Sequence, residues 1–194
     1  DDMKFLDGDT VGSAVNGTVD PGLKEAPSKL ELTDDWAAAD YLVDPQDASK
    51  IRVFAAEAEP DRTDTVDGAT VKHYTQTSVA DIANKGTDVT DMFDIKVEGT
   101  VATATAKPDY LKTLKGMRKG LQLTLLVPFT VNFADGKGAA RVREDFGRKP
   151  GDEVTFCTSP DGKELTNKGS QTVNGQTEPT NKPKIGRASC RERV

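Results

Sequence analysis

The chain has 194 residues, 35% of them hydrophobic and 6% aromatic, with a formal net charge of −6. That length holds one large all-β domain or two small ones, with enough apolar content for a real core. The acidic balance and the lack of a Lys/Arg cluster interleaved with aromatics exclude nucleic-acid binding, and no apolar run is long enough for a membrane span.

In residues 1–27, Asp-Gly, Asn-Gly and Pro-Gly steps punctuate short β-prone pieces, which reads as hairpins, a lead-in strand or a partial domain start. Ser28 to Trp36 alternates Leu30 and Leu32 before the acidic pair Asp34-Asp35, and the following AAADYLVDPQDASK reads as a helical turn or loop. Lys50 to Phe54 is a short strand, AEAEPDRTDTVDG a polar excursion ended by Pro60 and Gly68, and Ala69 to Tyr74 another strand. Ser78 as N-cap, with Asp81 three residues on and Lys85-Gly86 as the stop, predicts a short helix.

FDIKVEGTVATATA (93–106) alternates on both sides of Glu98-Gly99 and predicts a hairpin, and Pro108 to Lys115 has helical spacing with Pro at its start. The dominant segment is Leu121 to Phe133, with Leu121, Leu123, Leu125, Val127, Phe129, Val131 and Phe133 on one face at period two. Pro128 cannot donate to a ladder, which predicts a bulge there or an edge beyond it. The polar loop 134–138 ends the strand, and ARVREDFG and the stretch from Asp152 to Gln176 read as further strands joined by tight turns. Residues 179–184 read as a linker.

Residues 185–194, IGRASCRERV, resemble a translated sequencing adapter and are excluded from fold reasoning, as is Cys190. Without their three Arg and one Glu the charge moves from −6 to −8, and Cys157 is left with no identified partner. The expectation is one all-β domain over 28–178, a sandwich with one or two helical excursions.

Little of the chain supports an enzyme. His73 is the only histidine and sits in a strand-like segment, which does not build a catalytic triad, and one His with Cys157 does not make a zinc site. The Asp-rich pieces at 7–9, 34–36 and 87–91 offer oxygen ligands for calcium without completing a known loop motif.

Five pieces taken in order carry a resemblance: LTDDW (32–36), FDIKVEG (93–99), ATAKPDYLKTLKG (104–116), LQLTLLVPFTVNF (121–133) and LTNKGSQTVNG (165–175). Their order and spacing are similar to the isopeptide-forming C-terminal domains of streptococcal antigen I/II adhesins and related actinobacterial surface proteins. The resemblance covers roughly Leu30 to Lys184. It implies a variant immunoglobulin-like stalk domain at a Gram-positive cell wall, with neighbouring domains of the same adhesin as partners.

It also implies chemistry, in which a core lysine amine attacks an asparagine side-chain carbonyl, ammonia leaves, and a nearby acid relays protons. On matching positions Asn167 is the electrophile and Asp34 or Asp35 the acid, although Asn167 also reads as a turn residue and the Asp pair as a helix cap. The lysine is expected upstream of residue 1, with the sandwich's first strand, leaving Lys4 as a substitute. The alternative function is a calcium-dependent module that binds a host glycoprotein.

Overall fold

The computed structural model describes residues 3–39, 43–45, 47–147, 149, 154–156, 168–174 and 176–179. The strands are β1 (Met3–Phe5), β2 (Thr10–Val19), β3 (Leu30–Asp35), β4 (Val43–Pro45), β5 (Arg52–Val66), β6 (Ala69–Thr75) and β7 (Thr87–Asp88). After them come β8 (Phe93–Glu98), β9 (Val101–Ala106), β10 (Gly120–Val131), β11 (Val154–Phe156), β12 (Lys168–Val173) and β13 (Gln176–Pro179). Among the described residues three α-helices interrupt them, α1 (Val79–Lys85), α2 (Pro108–Lys112) and α3 (Gly136–Phe146), besides short 3-10 turns at Ala37–Ala39, Ala48–Lys50 and Thr90–Met92.

The first sheet has the order β2-β10-β5-β6, with β4 also on β10 and β7 also on β5; the second has the order β13-β12-β3-β9-β8. Every pairing is antiparallel, and β1 with β11 forms a separate ribbon. The two sheets make an all-β sandwich. Their inner faces meet where Trp36 packs edge-on against Phe129, with centroids 5.1 Å apart and an interplanar angle of 74°.

The long apolar strand forms as expected. Leu123, Leu125, Val127, Phe129 and Val131 of β10 are buried on the core face, and β2 pairs with it from Val19↔Leu121 to Thr10↔Thr130. Pro128 causes neither a bulge nor an edge, because it pairs in unbroken register with Gly12. On its other side the β5 ladder ends at Arg52↔Leu126 and the β4 ladder starts at Pro45↔Phe129, so Pro128 occupies the gap between two neighbours.

Three other expectations change. ARVREDFG is not a strand but most of α3: Ala139 and Val142 are buried three residues apart, and Gly147 closes the helix at φ +61. The polar excursion after Phe54 is ordered strand, because β5 continues to Val66 and turns through Asp67 and Gly68, both at positive φ, into β6. The Asn16-Gly17 step is not a turn but the middle of β2. Gly17 leaves room for the end of the Gln171 side chain, which an added Cβ would displace, and a Cβ there would also touch Leu32 across the sandwich.

The outer face of β10 is also covered. Gln122 and Thr124 are fully buried, and the Gln122 amide accepts from Thr77 N at 2.7 Å and donates to Thr77 O at 3.0 Å. It donates as well to Thr124 Oγ1, which in turn donates to Asn16 Oδ1 at 2.7 Å. One side chain thus stands in for a strand partner and holds the segment that leads into α1. Gln122→Leu should strand the Thr77 N–H and C=O and lower unfolding free energy by about 1–3 kcal/mol in a denaturant titration.

Candidate functional site

The candidate site is a polar spot inside the apolar sandwich. β3 buries alternate residues, so Leu30, Leu32 and Asp34 share the core face, and Asp34 is 0% exposed. Its ladder neighbours are Gly169 of β12 and Ala102 of β9. Directly paired residues share a face, so these two small residues leave room on both flanks of the carboxylate.

Ser13 is the matching feature of the opposite sheet. It lies between Val11 and Val15 on β2, pairs with Val127 and is also 0% exposed. Two cross-sheet contacts frame this layer: Gly17 against Leu32 and Gln171 at one end, and Trp36 against Phe129, the partner of Val11, at the other. Ser13 and Asp34 fall between them. Period-two reading of TVGSAVNGTV was enough to place Ser13 inward, a signal the sequence reading did not use.

The acidic pair separates cleanly by strand alternation. Asp35 points away from the core, and its Oδ1 accepts from Ala37 N at 3.0 Å and Thr100 Oγ1 at 3.3 Å. It closes the short turn at Ala37–Ala39 and ties it to the β8–β9 hairpin. Lys4 lies in β1, paired with Thr155 of the ribbon. Asn167 and Cys157 lie outside the described residues, as does the adapter-like segment 185–194; β12 opens with Lys168, paired with Asp35.

Three of the other acids proposed as oxygen ligands are engaged by backbone N–H groups. Asp7 accepts from Phe133 N, Asp9 from Leu6 N, and Asp88 from both Thr90 N and Thr90 Oγ1. The Thr90 hydroxyl and N–H hold the Asp88 carboxyl below the usual range. Among the described residues no group of three or more His, Cys, Asp and Glu converges as a metal site. His73 sits on β6 with Nε2 2.9 Å from Asp64 Oδ2 of β5, on the surface.

Two tyrosines are perturbed. Burial, reinforced by a hydrogen bond to Asp20 and by its charge, pushes Tyr74 up to about 12, and burial does the same to Tyr110 beside Phe93.

Neither family models nor curated protein sequences give a match. Solved structures do: the C-terminal domain of the Streptococcus pyogenes antigen I/II-family protein AspA superposes with a TM-score of 0.54 at 14% identity, over 93% of this chain and 40% of that one. The C-terminal domain of the Streptococcus agalactiae AgI/II polypeptide BspA gives 0.54 at 13% identity, over 93% of this chain and 43% of that one. The shared feature at such identities is the fold, a variant immunoglobulin-like β-sandwich, and this chain spans well under half the length of either structure.

Because the neutral phenol is the form the folded state prefers, the two tyrosines give stability that is complete below their unfolded value near 10 and disappears as pH rises through about 12. Denaturant titrations across that window, followed with tyrosinate absorbance, should show the loss. Tyr74→Phe and Tyr110→Phe should each make it less steep.

Proposed function

We propose that this chain is a structural stalk domain of a cell-wall-anchored surface adhesin, locked in its intact form by an intramolecular Lys–Asn isopeptide bond. The carrying observation is Asp34, a fully buried carboxylate on the core face whose strand partner, Gly169, stands two positions after Asn167 in sequence. The fold shared with the antigen I/II C-terminal domains supports the same reading.

In the proposed step the neutral Nζ of a lysine attacks Cγ of Asn167 and forms an amide. The lysine proton passes through the carboxylic acid to the departing nitrogen, which leaves as ammonia. Asp34 is the acid in this scheme, since burial in an apolar interior favours the protonated carboxyl that a proton relay needs. Asp35 is the cap. The lysine is Lys4 or one contributed by sequence preceding Asp1.

A closed cross-link between early and late strands stabilises by roughly 3–5 kcal/mol in the chain-entropy model, and unlike a disulfide it is indifferent to reductant. The reading predicts an intact mass short by one ammonia and, on peptide mapping, a branched peptide joining a lysine to Asn167. The branch is decisive, because the Asn16-Gly17 and Asn174-Gly175 steps lose ammonia by succinimide formation alone. Asp34→Ala should restore the full mass, and Asp35→Asn should leave the cross-link in place. Absence of the branched peptide both from this chain and from a version extended upstream would reject the proposal.

A further inference from the structure

The fold leaves over one buried oxygen, on Gln171. This residue follows Gly169 on the core face of β12, since it pairs with buried Leu32 as Gly169 pairs with buried Asp34. Its side chain crosses to β2, where Nε2 donates to Thr18 O at 2.8 Å and Oε1 lies in the space that a Cβ on Gly17 would take. Oε1 is buried, and among the described residues no donor reaches it.

A buried carbonyl oxygen without a donor costs stability, and here the orientation is fixed. Turning the amide over would set Oε1 against Thr18 O, so the bond from Nε2 commits the oxygen to the interior. A methionine of similar length would fill the same space beside Leu32 without that cost.

The cross-linking step needs an acceptor of this kind. A neutral lysine amine brings two N–H bonds into the core. One proton is relayed through Asp34 to the departing nitrogen, which leaves as ammonia, and the other stays on the new amide. In an apolar interior the N–H that remains requires an acceptor, and Asp34 is engaged with the other proton.

Strand geometry sets Gln171 near the reaction. Residues two apart on a strand share a face and stand about 7 Å apart. Gln171 is two positions after Gly169, and Asn167 two before it in sequence, so Asp34, paired with Gly169, faces the middle of this set. Among the described residues Asp34 is also the one acidic or basic side chain that β2, β3, β9, β10 and β12 turn into the layer.

We propose that Gln171 Oε1 is the acceptor that holds the lysine Nζ during the attack and the amide N–H afterwards. Holding one N–H turns the nitrogen lone pair away from Gln171, toward the carbonyl it attacks. The inference rests on the cross-link reading and adds to it a residue outside the Lys, Asn and Asp set.

The test is the rate of closure. Full chain collected unfolded, and a version extended upstream, are diluted from urea into buffers across a pH series, quenched in acid at intervals and mapped for the branched peptide. Gln171→Met keeps the length of the side chain without the acceptor and should slow closure about tenfold or more. Gln171→Glu keeps an acceptor but sets a negative charge beside the amine, which favours the ammonium form, so its rate should rise only at higher pH than in the unsubstituted chain. Both variants lose the amide donor to Thr18 O. A purely structural tie would therefore leave the pH at which the rate rises where it was.

Equal rates for Gln171→Met and the unsubstituted chain, or an unmoved pH profile for Gln171→Glu, would overturn the role of Gln171 while the branched peptide upholds the cross-link. No branched peptide from either unsubstituted version would reject the cross-link, and this role with it.

Discussion

The structure depends on one strand that must be satisfied on four sides. β10 is paired along both edges, to β2 and to β5 with β4, and covered on both faces. The inward face is solved by hydrophobic burial of Leu123, Leu125, Val127, Phe129 and Val131. Its outward face buries polar groups, which costs stability unless each finds a partner, and Gln122 and Thr124 find theirs in Thr77 and Asn16. The crossover from β6 to α1 lies where it does because Gln122 can bond both its N–H and its carbonyl.

The same strand explains which parts of the fold could be read from the sequence. Period-two apolar runs announced β3, β8, β9 and β10, and helix-start residues announced α1 and α2. α3 escaped because Gly136 and Gly138 resemble turn chemistry, and among its described side chains Ala139 and Val142 mark the apolar stripe. The outer part of β5 escaped for a different reason. It has no buried face, so it carries no alternation, and its strand character comes from pairing with β6 across a turn whose Asp67-Gly68 signal was read as the end of a loop. Gly17 misled in the opposite direction: it lies mid-strand, where its missing Cβ leaves space that the Gln171 side chain fills.

At the candidate site, sequence supplied the residue types and structure supplied the directions. Asp34 and Asp35 are adjacent and chemically identical, yet strand alternation sends one carboxylate into the core and the other to the backbone of Ala37. Sequence resemblance pointed to both. Ser13 was legible in principle, since its inward position follows from Val11 and Val15, but a small hydroxyl in a Thr/Gly-rich strand draws no attention until the layer it shares with Asp34 is defined by the facing sheet.

That layer sits beside the places where early and late chain segments are already tied together. Gln171 of β12 donates from Nε2 to Thr18 O of β2 at 2.8 Å, and Ser28, through its N–H and hydroxyl, binds Asn174 Oδ1 after β12. Each hydrogen bond contributes on the order of 1 kcal/mol net, and each breaks independently when its strand is displaced. In the proposed stalk role, tension on β2 would load these bonds together with the β10 ladder, in which Thr18 pairs with Gln122. A covalent link between an early lysine and Asn167 would act in parallel with them and divert load from contacts that hydrogen bonding alone holds weakly. Were the proposed link to form, it would account for the expense of a buried Asp34 in an apolar core, which the carboxylate's own contribution to stability would not.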